Sequence, residues 1–204
     1  MKEAIEKHLE ENLKKYFILS LFLIIGVFIG IMTINNATDI QKNEINEYLT
    51  NFITSLKETN KINYTHLLVN SIKNNLKIIL FIILISMSLF GKIGVFGATI
   101  YKGYKLGYSI SSAVIIFGTV KGLIFSGTLI LINNIIWIPT IFYISTKSLN
   151  IYKDILECGN KRDLKYLILQ YIISIAISIG FMLIASLIET YINSNLFLMF
   201  LKLF

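Results

Sequence analysis

The chain has 204 residues, of which 55% are apolar and only 15% charged, and its net charge is +7. A soluble domain carries nearer a quarter charged residues, so this composition excludes most soluble-enzyme classes and points to helices that face lipid. In a membrane protein a positive balance reads as orientation signal and headgroup contact, with no nucleic acid as partner.

The first 15 residues mix both charges, and then Tyr16 to Thr38 runs for 23 residues without a charged side chain. A helix rises about 1.5 Å per residue, so roughly 20 apolar residues cross a hydrocarbon core of about 30 Å. A first span is expected over residues 16–34. It is too long for a signal-peptide core and no clear small-residue cleavage site follows it, so it is expected to be retained.

Residues 35–75 form the only sizeable segment expected outside the membrane. Within it Ile45, Tyr48, Leu49, Phe52, Ile53 and Leu56 share one face of a helix, and Thr38 with Gln41 resembles a capping box at its start. The apolar face suits a helix lying on the membrane or packed on the bundle. The polar side, with Glu44, Glu47 and Lys57, is the candidate surface for a partner.

A second span is expected over 76–91, short, with Lys77 and Lys92 at its ends and their stems reaching back to the headgroups. The third, 93–118, contains Lys102 and Lys105. On a helical wheel these lie about 60° apart. They stand opposite Gly103 and Gly107, a small-xxx-small pair that admits another helix closely. Two uses are open for the lysines: snorkelling to the cytoplasmic surface, or a buried polar contact.

Gly118 to Gly122 reads as a tight turn. The fourth span, 122–145, holds Asn133, Asn134 and the only proline, Pro139, which cannot donate to the helix ladder. A kinked packing helix and a broken helix that forms a site are both open there. The fifth span is 166–188. Strand alternation is absent, so a barrel is rejected. The expected fold is a single all-α, polytopic membrane helix bundle of about five transmembrane helices plus an extracellular amphipathic helix.

Lysine and arginine placement sets orientation. A cytoplasmic N-terminus puts twelve of the 19 on the inside, against seven outside. The chain is therefore expected to be a multi-pass cell-membrane protein with its N-terminus in the cytoplasm.

Chemistry-bearing residues are few. His8 and His66 are far apart in sequence, Cys158 is the only cysteine, and no zinc-protease, nucleophile-elbow or phosphate-loop motif occurs. Neither an enzyme nor a cofactor or metal site is expected. Acids are absent from the interiors of the expected spans, which counts against ion coupling.

Four segments, in order, resemble the stage II sporulation protein M family. They are GVFIGIMTINNATDIQKNEINEYLTNFI, NNLKIILFIILI, YKGYKLGYSISSAVIIFGTVKGLIFS and NNIIWIPTIFYIS. Gln41, Lys42, Tyr48, Leu49 and Phe52 match the first. Lys102, Gly103, Gly107, Tyr108, Gly118 and Gly122 match the third, and Asn134 and Pro139 the fourth. The resemblance implies a membrane scaffold of endospore-forming bacteria. Such a scaffold would anchor a cell-wall hydrolase complex similar to stage II sporulation proteins P and D while the forespore is engulfed. The competing expectation is a transporter or permease-like subunit. Membrane lipids are partners on either reading, and the oligomeric state is left open.

Overall fold

The computed structural model describes residues 2–59, 63–88, 90–157 and 161–203, with side chains described except at 2–9, 49, 52, 55–59, 129–131, 156–157, 161–164 and 201–203. All regular structure among the described residues is helical. Helix α1 (Lys2–Asn35) ends at the polar Asn36–Thr38 turn, and α2 (Asp39–Thr59) begins there. The capping box forms as expected. The Thr38 N–H donates to Gln41 Oε1 at 3.0 Å, and the Gln41 N–H donates to Thr38 Oγ1 at 3.4 Å. Lys42 closes the corner by donating to the Asn35 carbonyl at the end of α1, 3.3 Å away.

Helix α3 spans Tyr64–Ser86, with Asn63 Oδ1 accepting from the His66 N–H at 3.0 Å as its N-cap. The expected start at residue 76 is therefore corrected by three turns. Asn70, Lys73, Asn74 and Asn75 break the apolar run, but Ser71 and Asn75 are buried against the bundle, so the helix extends through them. Helix α4 (Gly91–Phe117) is continuous, without a break at its glycines. Gly118 then takes φ 77°, a left-handed conformation that favours glycine. The chain folds back as α5 (Thr119–Phe125), so close that a Cβ on Gly122 would lie 2.5 Å from Val114 Cα. A turn of π-helix (Ser126–Ile130) leads into α6 (Leu131–Glu157). Then come α7 (Lys161–Leu187), a second π turn (Ile188–Asn193) and α8 (Ser194–Leu203).

Side-chain bonds fix the helix directions. Asn12 and Lys15 near the start of α1 bond Asn150 near the end of α6. The Tyr171 hydroxyl on α7 bonds Ser86 at the end of α3 and Ser148 on α6, at 2.9 and 2.7 Å. Asn75 of α3 meets Ser186 of α7 and Trp137 of α6 at the other end. Thus α1, α3, α4, α6 and α7 run side by side with alternating direction. The core between them is built from residues such as Leu19, Ile79, Ile82, Val95, Trp137, Ile141, Ile144 and Met182. Large apolar side chains on α1 and α7, including Phe17, Ile24, Phe28, Ile173 and Phe181, point outward. That is the surface a bundle shows to lipid.

Among the described residues, by length and apolar content, three stretches suffice to cross a membrane: Glu10–Asn35, Tyr64–Ser86 and Lys165–Phe200. Thr119–Thr128 and Ile132–Ile155, which meet at 57°, make a fourth when taken as one span. Helix α4 is not among them, so the expected count of about five becomes three or four on this measure. The physical reason is its content: α4 carries Lys92, Lys102, Lys105 and five glycines. It packs on α1, α3, α5 and α6, so it does not present a full apolar surface to lipid.

The pair Gly103 and Gly107 does admit another helix, and the partner is α1. A Cβ on either glycine would fall 2.1 Å from the Leu23 carbonyl oxygen or 2.0 Å from that of Val27. On α1, Gly26 and Gly30 do the same in return, against the Ile100 and Tyr104 carbonyl oxygens at 2.1 and 2.3 Å. Two glycine pairs of identical spacing thus face each other, and the parallel helices touch backbone to backbone.

Candidate functional site

Because α4 is clamped to α1 by its glycine face, its opposite face looks into the bundle. There it borders a cavity of about 1020 Å³ between α2, α3, α4, α6 and the second π turn. Lys102 and Lys105 both line it, but they separate in burial. Lys102 is only 8% exposed, with its Nζ 4.9 Å from the centre of the fully buried Trp137 ring. Lys105 is exposed, with its Nζ 5.0 Å from the Tyr101 ring. Of the two expected uses, snorkelling is therefore overturned for Lys102, since its neighbours on α6 enclose it.

Trp137 is held by a chain of hydrogen bonds. Its indole N–H donates to Asn75 Oδ1 at 2.6 Å. The Asn75 amide donates to Ser186 Oγ at 3.1 Å, Ser71 Oγ at 3.2 Å and Glu189 Oε2 at 3.3 Å. Ser71 also donates to Glu189 Oε2, at 2.5 Å. Glu189 was not among the expected site residues, because it falls one position beyond the apolar run 166–188. The helical path continues past that point through the π turn to Phe200, so an acid lies inside a stretch apolar enough to span. The expectation of acid-free spans is corrected accordingly. π turns recur at functional positions, and the second one here contributes Glu189 and Asn193 to the cavity lining.

Asn133 and Asn134 are both buried and line the cavity at the start of α6. The bend lies before them, near residues 128–132, and not at Pro139. Helix α6 passes through Pro139 without interruption, and the proline ring is exposed. Next to it the Thr140 hydroxyl donates to the Ile136 carbonyl at 2.8 Å. Gly118 makes the expected turn, and Gly122, already inside α5, packs against Ala113 and Val114 of α4.

Helix α2 lies over the cavity mouth and touches α4. Ile45, Tyr48 and Ile53 border the mouth; Ile45 and Ile53 are half-buried there, while Tyr48 is exposed, so the apolar stripe is only partly covered by the bundle. Glu44 and Glu47 are both exposed, but Glu44 also borders the mouth, so it is not confined to the outer face. The Lys57 side chain lies outside the described residues, as do those of Leu49, Phe52 and Leu56, and so do residues Cys158 and His8 as side chains. Among the described residues no three of His, Cys, Asp and Glu stand close enough to hold a metal ion.

Comparison with curated proteins and with solved structures yields no match. The family model for stage II sporulation protein M matches residues 19–194, from the first apolar helix to the end of the second π turn. With that match covering most of the chain, and with an all-helical membrane bundle beneath it, the protein belongs to the stage II sporulation protein M family.

Proposed function

We propose that the protein is a non-enzymatic membrane scaffold that anchors and localises peptidoglycan-degrading partners during forespore engulfment. On this reading it crosses the membrane several times with its N-terminus in the cytoplasm. Family membership carries the reading. The placement of α2 supports it: the helix stands at the end of the bundle away from the N-terminal lysines, with Glu44 and Glu47 exposed. The partner would be a hydrolase complex similar to stage II sporulation proteins P and D.

The test is the double charge reversal Glu44→Lys/Glu47→Lys. Both side chains are exposed, so membrane insertion and protein level are expected to hold. Co-purification of the hydrolase is expected to fall roughly tenfold, the equivalent of about 1.4 kcal/mol. Undiminished co-purification overturns α2 as the docking surface.

Orientation is tested separately in a Cys158→Ser background. A membrane-impermeant thiol reagent applied to intact cells is expected to label Thr50→Cys and to spare Lys153→Cys. The opposite pattern reverses the topology.

The cavity favours a second reading, a permease-like subunit, because it places Lys102 and Glu189 inside the bundle. Affinity capture of the tagged protein from sporulating cells separates the two. Recovery of cell-wall hydrolases supports the scaffold, and recovery of an ATPase in their place supports the permease.

A further inference from the structure

One cavity holds opposite charges that do not pair. Lys102, only 8% exposed, makes no hydrogen bond or ion pair among the described residues, and its Nζ faces the Trp137 ring. Glu189 is half-buried and lines the same cavity. Its Oε2 accepts from Ser71 and Asn75, while among the described residues its Oε1 accepts from none. The two groups are neighbours through one buried node. The Lys102 Nζ lies 4.9 Å from the indole ring, the indole N–H donates to Asn75 Oδ1, and the Asn75 amide donates to Glu189 Oε2. Glu189 is thus close enough to attract Lys102 without reaching it. Asn133, one turn from Trp137 on α6, adds an enclosed Oδ1 that meets no donor.

The unmet need is of both signs. A buried ammonium without acceptors is costly, and so are buried acceptors without donors. An anion would answer Lys102 alone and would face the Glu189 carboxylate. A cation would do the reverse. Water donates and accepts but brings no charge. The whole lining is balanced in the same way: Lys102 and Lys105 stand against Glu44 and Glu189, with His66 neutral at pH 7. Such a lining selects by sign against a ligand that carries a net charge. A zwitterion brings one charge for each partner. An α-amino acid holds its ammonium and carboxylate on one carbon, so with a hydrogen bond of about 2.9 Å at each end it bridges groups too far apart to pair directly. Leu106, one turn beyond Lys102 on α4, lines the cavity on the same helix face and suits an apolar side chain. At about 1020 Å³ the chamber has room for such a molecule and for water.

We propose that this cavity binds a small zwitterion of the α-amino-acid class with an apolar side chain. The ligand carboxylate accepts from Lys102 Nζ, its ammonium donates to Glu189 Oε1, and its side chain lies against Leu106. Trp137 and Asn75 are positioning residues, since they hold the two charged groups apart at the node the ligand bridges. Binding is claimed and not transport, and the proposal stands independently of the scaffold reading.

The test uses the full chain in a non-ionic detergent, with labelled L-leucine as the probe and two competitors of the same hydrocarbon. Isocaproate keeps the carboxylate and lacks the amine. Leucinamide keeps the amine and lacks the carboxylate. Leucine is expected to bind saturably, and each competitor to displace it at least about tenfold less well than unlabelled leucine does, the size of one charge-assisted hydrogen bond. Absence of saturable binding overturns the proposal and leaves a hydrated cavity. Competition by isocaproate equal to that of leucine leaves an anion site only, and equal competition by leucinamide a cation site only; either overturns the proposal. Lys102→Met is expected to close the gap between leucine and leucinamide, and Glu189→Gln the gap between leucine and isocaproate. A merely structural role would weaken all three ligands together and leave the gaps open, which overturns the assignment of that residue. If Lys102→Met loses cooperative unfolding, Glu189→Gln carries the test, because glutamine keeps an oxygen for Ser71 and Asn75.

Discussion

Gly107→Ala is expected to strip most of the folded protein from the membrane, whereas Gly97→Ala on the same helix leaves it intact. The difference is geometric. A Cβ on Gly107 would sit 2.0 Å from the Val27 carbonyl oxygen, while one on Gly97 meets nothing within 4 Å. The atom in the way is backbone, so it cannot swing aside as a side chain would. The helices must separate along the whole shared face, and that moves Gly26, Gly30 and Gly103 out of register as well. In lipid no hydrophobic gain holds helices together, so the lost dispersion contacts are not recovered elsewhere. Overpacking costs about 1–3 kcal/mol where side chains can adjust. A backbone clash exceeds that range. Away from the clamp the same substitution raises helix propensity by up to about 1 kcal/mol, so Gly97→Ala and Gly180→Ala are expected to be neutral or mildly stabilising. Thermal unfolding and monodispersity in detergent read the series. Equal melting temperatures for alanine at 26, 30, 103, 107 and 97 would mean that α1 and α4 do not meet on this face.

What was legible in the sequence was local. The Thr38–Gln41 capping box, the Gly118 turn and the small-residue face of α4 each depend on residues a few positions apart, and each is found where the spacing puts it. What was not legible depends on who packs against whom. The partner of Gly103 and Gly107 carries its own signal, Gly26 and Gly30 at the same spacing inside the first apolar run. Only the fold brings the two pairs together. Lys102 and Lys105 look equivalent on a wheel, and Trp137, 35 residues further along, separates them. Hydropathy also misplaced two boundaries for one shared reason. Asn75 and Glu189 interrupt or end an apolar run, which reads as leaving the membrane. Inside a bundle with a polar cavity they mark the inner face of helices that continue. Pro139 misled in the opposite direction: it looked like a break, yet α6 passes through it and the bend falls upstream.

Asn75→Leu is expected to be the most damaging polar-to-apolar change in the bundle, although the two side chains have the same number of heavy atoms and the same branching. Asn75 is buried and joins three helices. It accepts from Trp137 on α6, and it donates to Ser186 on α7 and to Glu189 just beyond it. Leucine leaves the fully buried indole N–H without an acceptor and removes one of the two donors seen on Glu189 Oε2. An orphaned buried donor costs about 1–3 kcal/mol, and the half-buried Glu189 carboxylate losing a donor adds to it. A loss of roughly 3 kcal/mol or more is therefore expected, visible as a lower melting temperature in detergent. Trp137→Phe isolates the indole contribution, since phenylalanine needs no acceptor. In that background Asn75→Leu is expected to cost about 1 kcal/mol less than in the parent, a coupling typical of residues in one network. Trp137 is the only tryptophan in the chain, so its fluorescence reports the same bond without a second label. Additive single and double variants, with unchanged tryptophan emission in Asn75→Leu, would mean that the indole N–H is satisfied elsewhere. In that case Trp137, the ring beside Lys102, would not be braced through Asn75.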